Sequence, residues 1–568
     1  MPQSNGFRAG AATSVAALVV MAVLAGCAST PGRQAHAAAA TDANAAVMVA
    51  EVALERGQCR EAAEAYARAA AASTDIPLAS RATQVAIGCE QLPLAQRSAQ
   101  RWQALAPLAG EPALARTIVA LKLYQPQEAR KALTLWRDSG AAGNQDPGRF
   151  AELLENETEA TAAYRLFGEV LLNDDATADV VLAQAQLALH AFDLQHATEL
   201  ARRALALEAS LVPARLVLIR SQALRGDYDQ ALAGAREIQG KVSGDDVFLV
   251  FDVLNAAQRG EQARAELLRL RADTRLAPAV DRRLGVMAMD QGDTAEAEQR
   301  FGALVGQRGS TTIALVYLAQ LAERRGDEDR ALRSYGLLAD STVSLLARGA
   351  AARILLHQGK REQAMALLDA YQHDHPESAI ETIGARAQVL AGNADFAAAV
   401  ATIDAALKAY PGHPTLEYQR ATMLERGGQH RDAEQAFEQL LRKRPEDPGI
   451  ANALGFTLAD HGRSLDRAEK LVRQALAVSP DNPAIQDSLG WVVFRKGRLA
   501  EASQILERAW RNGRDADIAA HFGEVLWKQG EEGRARYVWQ QALNIDPDNM
   551  LVRSTLTRLT GEEPPRRR

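Results

Sequence analysis

Apolar and small residues recur in a fixed order along most of this chain, and the order is clearest between Leu454 and Asn549. There LGFTLADHG, LGWVVFRKG and FGEVLWKQG each read as an amphipathic helix, because their apolar positions fall three and four apart. Five or six residues after each comes an alanine, inside a second helix that ends near a proline or glycine. Alanine to alanine gives Ala468, Ala502 and Ala535, steps of 34 and 33. A unit of two short helices cannot bury its apolar face alone, so neighbouring units must stack to supply the core. The pattern predicts an all-α superhelical solenoid of antiparallel helix pairs.

Upstream, the same rule of a turn glycine followed by an alanine pairs Gly226 with Ala231, Gly260 with Ala265, Gly292 with Ala297 and Gly326 with Ala331. It continues through Gly359 with Ala364, Gly392 with Ala397 and Gly428 with Ala433. The last step is 36, which predicts a small insertion near Pro411. Before Arg225 the period threads through Ala95, Ala129, Ala163 and Ala197, with most other positions eroded. Gly455, Gly490 and Gly523 sit midway along their helices, where only a small residue lets two helices cross closely. Prolines at 376, 411, 445, 480 and 547 stop one helix and start the next. The first helix is expected to open at Asp42 as N-cap and to close at Gly57. The resulting division is degenerate repeats over 42–242, well-formed repeats over 243–548, a capping helix over 549–561 and a disordered tail over 562–568 that ends in three arginines. A widened loop is expected at 139–148, and any hinge or subdomain boundary is expected there or near 243–245.

The first 26 residues read as a secretory signal, with a basic start, a short apolar run and small residues before Cys27. The order Leu24, Ala25, Gly26, Cys27 matches the bacterial lipobox, which implies that Cys27 becomes an acylated first residue. Several acyl chains, at about 0.8 kcal/mol per buried CH₂, anchor stably to a membrane. Ala28 rather than aspartate after the cysteine favours the outer membrane, on its periplasmic face. Residues 27–41 are mostly small, include Pro31 and Gly32 and lack apolar periodicity, so they read as a flexible linker.

Composition narrows the function. The chain is 47% hydrophobic but only 5% aromatic, so its helices meet through alanine, leucine and valine. Sixty-five basic residues against 71 acidic ones leave a net charge of −6 and no footprint for nucleic acid. No nucleotide-cradling loop, nucleophile elbow or zinc-protease motif occurs, so no catalytic residue, cofactor, metal or small-molecule substrate is expected. His373, Asp374, His375 and Glu377 stand close in sequence, but an exposed polar turn accounts for them. Of three cysteines, Cys59 and Cys89 remain after Cys27. The repeat register puts them at adjacent ends of antiparallel helices, which predicts a disulfide in an oxidising compartment, with two buried thiols as the alternative.

A helix-pair period near 34 is the signature of tetratricopeptide repeats. In that fold the first helices line a concave face. The register places Tyr418, Phe456, Trp491, Phe494 and Trp527 on or beside it, flanked by Asp487, Glu524, Arg495 and Lys528. Such a stripe suits a partner peptide, and packing between neighbouring repeats is the alternative for each residue. The run 454–549 resembles the C-terminal repeats of proteobacterial tetratricopeptide lipoproteins of the outer membrane, in particular adaptors of a periplasmic carboxyl-terminal processing protease. The resemblance implies a non-enzymatic scaffold that brings peptidoglycan hydrolases to that protease. A pilotin-like or export-assembly lipoprotein and an envelope-maintenance protein with an unrecognised catalytic site remain as alternatives.

Overall fold

The computed structural model describes residues 31–56, 58–139, 147–158, 160–546 and 549–563. The expectations for the signal segment, Cys27, Gly57, most of the 139–148 connection, Pro547 and the three terminal arginines fall outside these residues. The described residues contain 31 α-helices and no strand, arranged as fifteen consecutive antiparallel pairs and a closing helix, Met550–Thr560. Among them no helix is long and apolar enough to cross a membrane.

Local chemistry sets the helix starts. Pro414, Pro448 and Pro483 each occupy the first helical position, where a missing N–H costs nothing. Asp193, Asp293, Asp327, Asp395, Asp447 and Asn482 accept backbone N–H groups of the first turn that would otherwise lack partners. The first helix differs from expectation. It runs Pro31–Glu55, so most of the stretch expected as a linker is helical and Asp42 lies inside the helix. A proline at the first helical position followed by alanine-rich sequence favours that outcome.

At least one alanine of each of the fifteen second helices, from Ala62 through Ala297 to Ala535, has 0% exposure, in the eroded early repeats as in the late ones. Two register assignments need correction. Ala265 and Ala397 are exposed, and Ala263 and Ala399 take the buried positions. The cause is the turn: Gln258 (φ 58°) and Ala394 (φ 59°) hold the left-handed conformation, where Gly260 and Gly392 were expected to. With Ala399 in place the next step is 34, and the insertion expected near Pro411 disappears. The core also runs unbroken past 243–245, from Ile219 through Phe248 to Met287. Phe248 is buried there under the Arg283 guanidinium, 3.6 Å from the ring centroid.

At the start of the array a disulfide joins Cys59, the first residue of helix Cys59–Ala72, to Cys89, the C-cap of helix Ile76–Gly88, with their Cα atoms 5.4 Å apart. Closing a 30-residue loop contributes about 3 to 4 kcal/mol on the chain-entropy model.

Distant repeats also meet. His413 Nε2 lies 3.3 Å from Glu90 Oε2, 323 residues away in sequence, and Lys122 Nζ holds the other oxygen of Glu90 at 3.0 Å. The Arg444 guanidinium sits 4.4 Å from the centroid of Tyr124. Thr161 Oγ1 and Ser479 Oγ are 3.3 Å apart, and the Asp481 N–H donates to the Phe192 carbonyl at 3.1 Å. The first three contacts advance together along both segments, roughly one repeat per repeat, and the fourth returns from the next early repeat to the same late one. They form a seam where one turn of the superhelix lies on the next. Glu90, Tyr124 and Phe192 all have positive φ (52–54°), at the reversal between the two helices of their pairs. A cavity of about 660 Å³ remains in the seam between Tyr124, Arg130, Tyr164 and Gln184 on one turn and Arg444 and Pro448 on the other.

Two outcomes are expected. A Cβ at Gly490 would stand 2.5 Å from Leu506 Cγ, whereas one at Gly349, also inside a helix, meets nothing within 4 Å. Gly490→Ala should therefore destabilise by about 1–3 kcal/mol, and Gly349→Ala should stabilise by about 0.5–1 kcal/mol, as read from urea unfolding. Replacing Glu90 and Tyr124 together by glycine removes two seam side chains while relieving the left-handed backbone. The radius of gyration in solution scattering should increase with helical circular dichroism unchanged; an unchanged radius would show that the seam does not hold the turns together.

Candidate protein-binding groove

In the last third of the chain the first helices Pro448–Asp460, Pro483–Arg495 and Ala516–Lys528 touch one another in a row, while the second helices are spread apart. The row of first helices is therefore the inside of the curve. Close approach within each pair depends on small residues. The positions at which Gly455, Gly490 and Gly523 lack a side chain are filled by Val472, Leu506 and the Trp539 indole from the partner helix.

On this inner row Phe456, Trp491 and Phe494 come together around His521. The Trp491 ring stacks on His521 with centroids 4.3 Å apart, Phe494 lies 5.1 Å from Trp491, and Phe456 lies 5.8 Å from His521. Trp491 is 7% exposed, so the expectation that it projects as a free anchor is corrected. Its Nε1–H donates to Asp460 Oδ1 at 3.1 Å, and Arg495 crosses its ring at 5.8 Å while donating to the Asp460 carbonyl. An indole that is stacked, hydrogen-bonded and covered has little surface left to offer. Phe456 and Phe494 are half-buried and keep an open side.

Tyr418 and Trp527 are also half-buried, but the structure does not bring them into this cluster. Tyr418 meets Phe437 of its own repeat edge-on at 5.8 Å. Trp527 lies 5.9 Å from Trp539 of its own pair, with Arg536 over its ring at 5.4 Å. The flanking charges also divide. Lys528 is exposed, but Glu524 is buried and forms a two-oxygen pair with Arg558 of the closing helix at 2.6 and 3.1 Å.

Asp487, expected at the rim, is buried beneath the rings and bonds His521 Nδ1 at 2.9 and 3.0 Å. Burial pulls the His521 pKa down, but the charge of Asp487 and the bond to it outweigh that, with Asp517 and Asp460 adding to the effect, so it lies above its ordinary value. Burial likewise lifts the Asp487 carboxyl against the pull of His521. The pair ties two adjacent first helices and is shielded from solvent. His521 was missed in the sequence, yet it stands 34 residues from Asp487, one period away on the neighbouring helix. Pairing polar residues one period apart would have found it.

At the sequence cluster near residue 375, His375 Nδ1 lies 3.3 Å from Glu377 Oε1, its ring rests 4.4 Å from Tyr371, and the segment is largely exposed. A different group, Glu425, His430 and His461, has donor atoms close enough to share a cation.

A curved stack of helix pairs with an apolar inner strip defines a protein-binding scaffold, a class that is generally non-catalytic. More particularly, about a third of the chain matches tetratricopeptide repeats. Tetratricopeptide repeat models match residues 282–344, 385–448 and 418–464, and a second model of the same description matches 463–521. The chain is 28% identical over 248 residues to TPR repeat-containing protein PA4667 of Pseudomonas aeruginosa, which covers 44% of this chain and 42% of that protein, so the likeness spans less than half of the relative. Among solved structures it is similar to a tetratricopeptide repeat protein of Parabacteroides merdae, at 17% identity and a TM-score of 0.33, over 45% of this chain and 100% of that one. It is also similar to the TPR protein TTC0263 of Thermus thermophilus, at 19% identity and a TM-score of 0.30, over 32% of this chain and 100% of that one. The APC/C hetero-tetramer Cut9-Hcn1 aligns at 14% identity and a TM-score of 0.30, over 94% of this chain and 99% of that one.

The raised His521 value fixes the sign of a pH effect. Its stabilising contribution is complete below the ordinary imidazole value of about 6.5 and is lost as pH rises through the folded value. The stability advantage of the native chain over His521→Gln in urea unfolding should be largest below that pH and shrink above it. In Asp487→Asn, where only Asp517 and Asp460 remain to oppose burial, an imidazole NMR titration should place His521 lower than in the native chain.

Proposed function

We propose that this protein is a lipid-anchored, non-enzymatic adaptor resembling LbcA, which brings peptidoglycan hydrolases to a periplasmic carboxyl-terminal processing protease for degradation. The observation that carries the reading is the inner strip of Phe456 and Phe494, half-open side chains held in place by the stacked Trp491 and His521. Rigid aromatic groups on a concave face are what an apolar peptide segment docks against, with Lys528 and Asp460 available at the edge for its polar groups. The lipobox ending at Cys27 supports an acyl anchor in the outer membrane with the array facing the periplasm. Binding protease and substrate on one array converts their encounter into an intramolecular one, and the resulting effective concentration, rather than any catalytic group, is the adaptor's contribution.

The test uses the full chain carrying Phe456→Ala and Phe494→Ala together, with Tyr537→Ala, an exposed side chain of a second helix, as the control. Affinity capture from periplasmic extract should recover a serine protease and cell-wall hydrolases with the native chain and with the control. The inner-face variant should recover at least about tenfold less, with helical content unchanged. Equal recovery by all three would move the binding site elsewhere, and recovery of secretin or export components instead would replace the adaptor reading with an assembly role.

A further inference from the structure

Away from the inner strip, three side chains from two neighbouring repeats converge at the edge where first helices turn back into second helices. Glu425 lies in the last turn of helix Pro414–Arg426, His430 opens helix His430–Lys443, and His461 is the C-cap of helix Pro448–Asp460. The reversal at Gly428, with φ of 75°, folds His430 back beside Glu425. His461 Nε2 lies 3.1 Å from Glu425 Oε1, and His430 Nδ1 lies 3.8 Å from Glu425 Oε2. The two imidazole centroids are 3.6 Å apart, and one donor atom from each of the three residues falls within a span of 4.8 Å. Glu425 Oε2 is buried and has no hydrogen-bond partner.

We propose that Glu425, His430 and His461 form a binding site for a divalent transition cation of the zinc type. A buried carboxylate oxygen without a donor is costly, and here it faces the ring nitrogen of His430 from beyond hydrogen-bond range. A cation between them satisfies that oxygen and both imidazole lone pairs at once. Ligand distances of about 2.0–2.1 Å in a tetrahedral site separate neighbouring ligand atoms by about 3.3 Å. His461 stands 3.1 Å from one carboxylate oxygen and His430 3.8 Å from the other, on either side of that value, and all three donor atoms lie within 4.8 Å, so side-chain rotation can bring them onto one cation. Two imidazoles and one carboxylate suit zinc, nickel or copper, and disfavour magnesium and calcium, which require oxygen ligands. Three protein ligands leave a position for water, and the His430 side chain, 46% exposed, provides the way in. The cation ties helices Pro414–Arg426 and His430–Lys443 to helix Pro448–Asp460, stiffening the junction that leads into the aromatic strip.

The experiment uses the tag-free full chain, stripped with a chelator and titrated with Co²⁺ and then Zn²⁺. One equivalent of Co²⁺ should produce the visible absorption of a tetrahedral site, which Zn²⁺ then bleaches, and Zn²⁺ should raise the thermal unfolding midpoint. His461→Ala and Glu425→Gln should each weaken binding at least about tenfold and abolish the thermal shift while keeping native helical circular dichroism. His430→Ala, at the more exposed ligand, gives the same reading if either of those variants fails to fold. Absence of a Co²⁺ signal at micromolar protein, or a signal and shift of native size in the variants, overturns the proposal and leaves the cluster as a hydrogen-bonded turn.

Discussion

The distance between the two helices of each pair governs the rest of this structure. An alanine of every second helix is wholly buried against its partner, and where the facing residue is Gly455, Gly490 or Gly523 a side chain of the partner helix takes up the space that a Cβ would fill. Repeated fifteen times, that spacing fixes the rotation from one pair to the next, because each pair contacts its neighbours through the same positions. The seam shows where that rotation brings one turn back onto another. After roughly nine to ten repeats of the 34-residue period, Glu90 reaches His413, and the following pairs keep step as far as Thr161 and Ser479, while Phe192 meets Asp481 of that same later repeat. A larger residue at one of the alanine positions would change the local rotation, and the displacement would grow with distance until the seam contacts failed.

The seam also accounts for a departure from the glycine rule at the reversals. Left-handed backbone at a residue with a side chain costs about 1–2 kcal/mol, yet Glu90, Tyr124 and Phe192 adopt it. Two of them place side chains against the adjoining turn, Glu90 on His413 and Tyr124 under Arg444, and Phe192 presents its carbonyl to Asp481. Glycine would relieve the strain and give up the first two contacts. Gln258 and Ala394 share the conformation away from these contacts, and nothing in the structure explains them.

Much of this was legible in the chain. The period, the paired helices and the neighbouring positions of Cys59 and Cys89 follow from repeat spacing, because each depends on contacts within one or two units. Spacing misleads where a glycine stands two residues from the reversal without forming it: Gln258 rather than Gly260 and Ala394 rather than Gly392 are left-handed, and the alanine register slips there. Residue type also could not reveal how far a neighbouring repeat covers a side chain. Trp491 lies at an inner-face position as expected, but His521 and Arg495 close over it, and Asp487 turns inward to bond His521. The seam was beyond reach, since it depends on rotations accumulated over more than 300 residues.

Seam and strip together limit how a partner can reach the chain. Where successive turns touch, at His413, Arg444 and Asp481, they are pinned to one another, and the space left between them is the cavity beside Arg444. Phe456 and Phe494 lie one and two repeats beyond Arg444, on first helices tied together by Trp491 and Arg495 with Asp460, and Asp487 with His521 ties the second of them to the next first helix. A partner docking on these rings therefore meets a preorganised surface and loses little affinity to ordering it. The eroded early repeats, whose buried alanines are intact while their other consensus positions have drifted, then serve to complete the turn that supports this surface.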